Sequence, residues 1–285
     1  MESLNVIQAS AAVVVLGALF VVEGVHPFFG FFRGRAAERR VHAARNLALG
    51  LVNALAVALV FAGLWVAVAA WADARGVGLL NVLRDRAGLP GWAHALFAVL
   101  LLDAWTYAWH RINHRIPLLW RFHRVHHADA EMDVTTASRF HVGELVLSSL
   151  LRVPLIALTG VYAWELVLYE TALFAVVQFH HANVALPERL DRALRAFIVT
   201  PSLHKVHHSR WRPETDSNYS SLFSWWDRLF GTFRTRARLS DVRLGLDAFD
   251  APEHATLGGL LRMPFTPEPA DLARSDLPTP AAPPR

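Results

Sequence analysis

Cysteine is missing from this chain of 285 residues, which excludes disulfides, iron–sulfur clusters and thiolate metal sites. Lysine is nearly missing, because Lys205 is the only one. A glycine-rich dinucleotide fingerprint is also lacking, and no repeat of solenoid period is found. A metal or redox site in this chain would therefore have to use other residues.

Long apolar runs are what the chain does have: 54% of its residues are hydrophobic, which is typical of a membrane protein. Five stretches are predicted as membrane helices, at 8–26, about 46–72, about 91–109, 142–159 and 163–180. The first is interrupted late by Glu23 and His26, and an interfacial helix is predicted near 78–88. The last two flank Gly160 and are predicted to form a helical hairpin, either fully spanning or partly re-entrant.

Arginine placement predicts the orientation. The net charge is only +4 and arginines cluster beside apolar spans, which indicates positive-inside topology and no nucleic acid partner. The loop at 33–45 carries five arginines, whereas the segment before residue 8 carries none. The N-terminus is therefore predicted outside, with 110–140 and everything after 181 inside, in a bacterial inner (cytoplasmic) membrane.

Histidine recurs in one pattern, HRVHH at 123–127 and HKVHH at 204–208. Such a pattern is costly to bury, because both nitrogens of each ring must find partners. Histidines three and four residues apart share a helix face. Ten imidazoles form four clusters at the predicted inner face: His110, His114, His123, His126, His127, His180, His181, His204, His207 and His208. One ion takes about four to six ligands, so eight or nine histidines imply two metals, for which Zn, Fe, Cu and Ni are all suitable. A pH-sensing or lipid-headgroup role is the alternative.

Metal-binding rings need hydrogen-bond partners on their other side. Asp103 and Tyr107 precede His110 by about two turns and one turn on the same helix face. Further candidates are Glu144, Asn183 and Asp227. The isolated histidines are expected to be surface, interface or packing residues: His26, His42, His94 and His254.

Four stretches together resemble a known family: DAWTYAWHRINH, WRFHRVHH, FHHANV and TPSLHKVHHSRWRPETDSNYSSLFSWWDRLFGTF. Over about residues 100–233, the order and spacing of these boxes resemble the fatty acid hydroxylase/sterol desaturase superfamily of integral-membrane di-iron enzymes. The combination is far more specific than any one box. The resemblance implies two iron ions as the cofactor and O2 as the co-substrate.

The family pattern also implies a ligand set: His110, His114, His123, His126, His127, His181, His204, His207 and His208. His180 is the uncertain neighbour of His181, and His141 is predicted to be supporting or structural. Asn218, Tyr219 and Asp227 are implied to support the histidine box rather than to carry out chemistry.

The resemblance implies an enzyme that hydroxylates or desaturates an unactivated C–H bond of a lipid, such as a fatty acyl chain or a sterol. Electrons would come from a separate ferredoxin, cytochrome or reductase. Inner-face arginines would dock an acidic donor or contact anionic lipid headgroups: Arg111, Arg115, Arg121, Arg124, Arg210 and Arg212. Glu165 and Glu170 are candidates to line a substrate cavity. The alternatives are an ether-lipid monooxygenase of the same family, a metal-handling transporter and a non-catalytic metal-binding membrane protein.

The predicted fold is all-α: an integral-membrane helical bundle of about four to five membrane helices with a cytoplasmic histidine-rich helical cap. The predicted divisions are N-terminal membrane helices at 1–90, a catalytic histidine-box membrane domain at 91–240, and a disordered proline-rich tail at 264–285. An amphipathic segment at the membrane surface is predicted from Trp225, Trp226, Leu229 and Phe230.

Overall fold

The structure, a computed structural model, describes residues 2–268, with side chains from residue 6 onward. The first eight helices are α1 (Glu2–Val25), α2 (Ala36–Ala56), α3 (Ala62–Ala74), α4 (Leu79–Ala87), α5 (Gly91–Arg115), α6 (Pro117–His127), α7 (Val142–Thr159) and α8 (Ala163–His181). Five short ones follow: α9 (Glu188–Leu194), α10 (Pro201–His207), α11 (Arg212–Thr215), α12 (Trp225–Leu229) and α13 (Leu257–Arg262). Helices and short 3-10 turns make up the named elements between residues 2 and 268, so the predicted all-α class is confirmed.

Membrane-length helices are found where apolar runs predict them. Three stretches of the described chain are long and apolar enough to cross a membrane: Val6–Val25, Ala36–Ala87 and Val142–Thr159. Within the second, a π-helical turn at Val57–Phe61 joins α2 to α3. α5 and α8 are of similar length, with 25 and 19 residues, but they bury polar side chains on their inner faces. The count of four to five spans and the division at residue 90 stay predictions.

Helix ends collect at two poles, as an up-and-down path requires. At the first, called the histidine pole, the end of α1 meets the start of α2 through Glu23 and Arg39, whose side chains are 2.9 Å apart. The segment after α8 joins them there, because Asn183 donates its backbone N–H to Glu23. At the distal pole, Arg84 of α4 donates to the Tyr162 hydroxyl just before α8. Successive long helices therefore alternate in direction.

The distal pole is closed by two tight contacts. Gly160 ends α7 in the left-handed region at φ 76°, and a Cβ on Gly78 would lie 2.4 Å from the Gly160 nitrogen, so only glycine fits this approach. His94 and Glu165 are both buried, with Nδ1 and Oε1 2.8 Å apart. The Glu165 carboxylate is therefore bonded within the helix packing at this pole, and the prediction that Glu165 and Glu170 line a substrate cavity stays a prediction.

The C-terminal segment packs over α6 at the histidine pole. Leu260 and Met263 lie in one apolar cluster with Trp120. Arg124 of α6 donates to the Met263 carbonyl at 2.5 Å and lies 3.4 Å from the Glu268 carboxylate. Pro264 is buried here and Phe265 is 69% exposed, and the tail boundary at 264 stays a prediction. Residues 269–285 of that tail lie outside the described residues.

Candidate metal centre

Nine buried histidines converge in two groups at the histidine pole. The five-histidine group consists of His110, His114, His123, His127 and His207. The four-histidine group consists of His126, His181, His204 and His208. Within each group, one ring nitrogen per residue lies within 4.8 Å of the others. These nine are the residues that the family pattern implies as ligands.

The two HxxHH motifs each contribute to both groups. HRVHH places His123 and His127, four residues apart, in the five-histidine group and His126 in the other. HKVHH does the reverse: its i, i+4 pair belongs to the four-histidine group and His207 crosses over. Each motif was expected to present three histidines on one helix face, and this exchange has no signal in either motif alone.

The rings are packed so closely that the two groups adjoin. The rings of His127 and His208, one from each group, stack at 4.4 Å between centroids. Facing Nε2 atoms are 3.0 to 3.1 Å apart in four pairs: His110 with His207, His126 with His181, His181 with His204, and His204 with His208. Two nitrogens bound to one ion at about 2.1 Å lie about 3.0 Å apart when they subtend a right angle. The spacing therefore suits cis ligands of a single cation.

For five of the nine ligand histidines the outward ring nitrogen is hydrogen-bonded, which leaves the inward nitrogen of the same ring as an acceptor. The Nδ1 partners are the carbonyls of Tyr219 (2.8 Å from His110), Ser217 (2.6 Å from His207) and Val177 (2.7 Å from His181), and the carboxylates of Glu144 (2.8 Å from His123) and Asp216 (3.4 Å from His114). A neutral imidazole that donates from Nδ1 keeps a lone pair on Nε2. The facing lone pairs of His110 and His207 cannot bond each other, so a cation between them fits where a hydrogen bond does not.

Buried ring nitrogens without partners support the same conclusion. Among the described side chains, Nε2 of His123 and both ring nitrogens of His127 find no hydrogen bond. A buried polar atom left unpaired costs about 1–3 kcal/mol. A metal ion would satisfy Nε2 of His123 and one of the two ring nitrogens of His127, and neutral imidazole is suited to bind one. The donor set thus fits one cation in each group.

Two predicted supporting residues act on the ligands through the backbone. The turn Asp216–Ser220 carries the carbonyls that His110 and His207 bond. Asp227 accepts the backbone N–H groups of Tyr219 (2.7 Å) and Ser220 (3.0 Å). Asn218 has a left-handed φ of 51°, and its amide bonds the backbone of Leu203 and Arg234. Both side chains hold the turn in the shape that presents its carbonyls to the rings.

The other predicted supporters lie one layer further away. Asp103 accepts from the Trp226 indole at 2.8 Å and from the Phe223 backbone, so Trp226 faces inward instead of lying on the predicted surface segment. Tyr107 bonds Thr232 at 2.9 Å. Asn183 bonds both backbone groups of Phe29. These contacts hold loops against the helical bundle, and none of them orients a ligand ring.

His180 and His141 differ in their environments. His180 is buried and its ring lies 3.9 Å from that of His204, but it belongs to neither group. His141 caps the start of α7, where its Nδ1 accepts from the backbone N–H of Gly143 and its Nε2 bonds the Leu261 carbonyl. His141 therefore has a structural environment, one of the two roles that the sequence left open.

Sequence reasoning missed two aromatic neighbours of the ligands. The Trp120 ring lies 5.1 Å from His114 and 5.3 Å from His127, and the Phe140 ring stacks on His126 at 4.2 Å. Trp120 precedes His127 by seven residues on α6, so helical periodicity was a usable signal. Phe140 lies in a loop, where no periodicity points to it.

Burial keeps the imidazoles neutral. Loss of hydration and repulsion between neighbouring rings hold the pKa of His127, His204 and His208 well below the usual range. Burial lowers the pKa of His207 to about 3 even though its backbone bonds act in the opposite direction. Neutral rings are the form that binds metal, so the site can bind a cation at neutral pH without first losing protons.

The metal-free protein is expected to lose stability as the pH falls below about 6.5, the ordinary histidine pKa. The folded-state pKa values are depressed, so the unfolded chain takes up protons first, and each such histidine contributes up to about 1.4 kcal/mol per pH unit. Thermal unfolding in detergent between pH 7.5 and 5, after chelation, measures this. A flat unfolding temperature would contradict buried neutral rings.

Comparison with known proteins places this site in a family. The fatty acid hydroxylase family matches residues 95–232, the stretch that contains all nine histidines. This stretch is just under half of the chain. The superfamily predicted from the histidine boxes is thereby confirmed, and the family match covers α5 through α12 with the turns that hold the ligands.

Three relatives have named activities. An ornithine lipid hydroxylase of Rhizobium tropici is 32% identical over 54% of this chain and 47% of its own length. Human alkylglycerol monooxygenase is 33% identical over 48% of this chain and 29% of its own. Human cholesterol 25-hydroxylase is 27% identical over 56% of this chain and 61% of its own. The chain thus spans less than two thirds of each relative, and no solved structure matches it.

Proposed function

We propose that this protein is a membrane oxygenase that hydroxylates an unactivated C–H bond of a lipid, with two iron ions as cofactor and O2 as co-substrate. The observation that carries the proposal is the pair of buried, converging histidine groups at one pole of a membrane bundle. Iron bound in both groups would supply the dioxygen chemistry that no side chain of the chain supplies.

The chain's own residues hold and shield the cofactor. The five-histidine and four-histidine groups would each hold one iron, and fewer than six nitrogen donors leave positions for other ligands. Bonds from Glu144 and from the carbonyls of Ser217 and Tyr219 fix the ring orientations. The ligand rings are at most 9% exposed, so bulk water is excluded from the site.

A lipid substrate is supported by the relatives and by the bundle. The three relatives are named for an ornithine lipid, an alkylglycerol and cholesterol, which share an apolar body and little else. The bundle places the histidine pole at the ends of apolar helices, where a membrane lipid can approach without entering water. Hydroxylation is proposed over desaturation because all three relatives are named hydroxylases or monooxygenases.

A separate electron donor is proposed to dock beside Trp120. Two of the six arginines predicted for this role are not available: Arg124 is buried against the C-terminal segment, and Arg210 is paired with Asp247 and Asp250. Arg115 at the end of α5 and Leu118 at the start of α6 are both exposed. This corner leads directly into Trp120, whose ring packs on ligand rings, so it supplies charge and a short route for electrons.

Lipid mass spectrometry tests the proposed function. Total lipids are compared between cells that express the wild type and cells that express His126→Ala, with a ferredoxin and its reductase co-expressed. A lipid that gains one oxygen only with the wild type is the expected result. Loss of two hydrogens would replace hydroxylation by desaturation, and loss of an alkyl chain from an ether lipid would favour the ether-lipid monooxygenase. An unchanged lipid profile from iron-loaded wild type would overturn the proposal.

The histidine pole is proposed to face the cytoplasm, and the lack of native cysteine makes this testable. Single cysteines at Ala37, Ala87 and Ala237 would each lie at an exposed position. Cys at position 87, on the distal pole, is expected to react with a membrane-impermeant maleimide added to intact cells. Cysteines at positions 37 and 237 are expected to react only after lysis. The opposite pattern would invert the topology.

A further inference from the structure

We infer that Glu23 of α1 is a positioning residue for the four-histidine group. This inference rests on the proposed metal centre and extends it to a helix outside residues 95–232, the stretch that matches the family. In the sequence, Glu23 is only an acidic interruption near the end of an apolar span. In the structure it is 2% exposed and contacts the segments that carry the ligands.

One carboxylate oxygen of Glu23 joins two separate loops. Oε2 accepts the backbone N–H of Asn183 at 2.8 Å and that of Val134 at 3.0 Å. Asn183 follows His181 by two residues. Val134 begins the turn that leads to Phe140, whose ring stacks on His126. The same oxygen therefore holds the backbone that follows His181 and the turn that leads to the Phe140 ring beside His126.

A second charged side chain acts on the same turn from the other side. Lys205, the only lysine of the chain, lies between His204 and His207 and is fully buried. It donates to the carbonyl of Ala182 at 2.6 Å, one residue before the N–H group that Glu23 accepts. The Ala182–Asn183 turn is thus held between α1 and α10, which carries His204.

Apolar packing and an ion pair keep Glu23 in place. Leu16, Leu19 and Phe20 of α1 pack against Val134, Ala182 and Val184, the same segments that Glu23 bonds. The other oxygen, Oε1, is 2.9 Å from the Arg39 guanidinium. Glu23 bonds the segment that follows His181, and the Phe140 ring lies closer to His126 (4.2 Å) than to His123 (6.1 Å), so loss of Glu23 is expected to affect the two groups unequally.

Iron content per chain tests the inference. Full-length wild type, Glu23→Ala and Glu23→Gln are purified from iron-supplemented cells, and iron is counted by mass spectrometry alongside the unfolding temperature. We expect two irons in the wild type and one in Glu23→Ala. Glutamine keeps one carbonyl oxygen, and both backbone N–H groups donate to a single oxygen, so Glu23→Gln is expected to restore the second iron.

Glu165→Ala is the matched control, because Glu165 is equally buried and accepts the backbone N–H of Tyr162 at the distal pole. It is expected to lower the unfolding temperature but keep two irons. Two irons in Glu23→Ala, or loss of iron from both alanine variants alike, would overturn the inference. Wild type with two irons but no lipid oxidation would refute the proposed function and leave the inference standing. Wild type with fewer than two irons would overturn both.

Discussion

Replacing His126 by alanine is expected to abolish lipid oxidation and to remove one iron, while the protein inserts into the membrane as before. His207→Ala is expected to do the same, but to empty the other group, since His126 and His207 are the residues that cross between the motifs. Loss of a side chain that only hydrogen-bonds a metal ligand already lowers metal affinity or activity by about 10- to 100-fold. Loss of the ligand itself is therefore expected to lower activity by more than about 100-fold. Turnover and iron per chain are the measurements.

Each of these two variants serves as the experimental control for the other. In each, one group stays intact, so each should keep one iron and bind it through a different set of rings. Cobalt substitution followed by absorption spectroscopy distinguishes a remaining five-nitrogen site from a remaining four-nitrogen site. The His126→Ala/His207→Ala double variant should bind no iron. Full activity in either single variant would contradict the ligand assignment, and identical spectra would contradict the division into two groups.

The members of the site were predictable because their spacing follows the helix. His123, His126 and His127 lie three and four residues apart, and a helix brings such side chains to one region of its surface. The division between the groups was not predictable from that rule. His126 and His127 are adjacent in sequence yet belong to different groups, because the positions of α8 and α10 decide which neighbours each ring meets.

The hydrogen-bond partners of the ligand histidines, unlike the ligands themselves, carry little signal in the sequence. Ser217 and Tyr219 act through carbonyl oxygens that every residue possesses, so their side chains carry no signal. Glu23 and Lys205 have distinctive side chains, but their partners are backbone groups far away in sequence. The all-α fold followed from apolar runs whose lengths match a bilayer. The contacts that fix the rings follow from how those helices pack, which a single sequence does not record.

Glu144 is expected to set the iron affinity of the five-histidine group. Its Oε1 accepts from Nδ1 of His123 at 2.8 Å, and it is the closest carboxylate to any ligand ring among the Nδ1 partners. A carboxylate in this position orients the ring and raises the basicity of the metal-binding nitrogen. Glu144→Leu is expected to weaken iron binding by about 100-fold and Glu144→Gln by about 10-fold, the two ends of the usual range. Competition with a ferrous chelator measures both.

His141→Ala is the control for this effect, because it disturbs the same end of α7 without reaching a ligand. It removes the cap on the backbone N–H of Gly143, for which a cost of about 0.5–2 kcal/mol in stability is expected. Its iron affinity should match the wild type. Glutamine at position 144 can still accept the Nδ1 bond but has no charge, so the gap between Glu144→Gln and Glu144→Leu isolates ring orientation from electrostatics. Equal iron affinities in Glu144→Leu, Glu144→Gln and His141→Ala would mean that the His123 ring is held by its own helix alone. The five-histidine group would then need no support from α7.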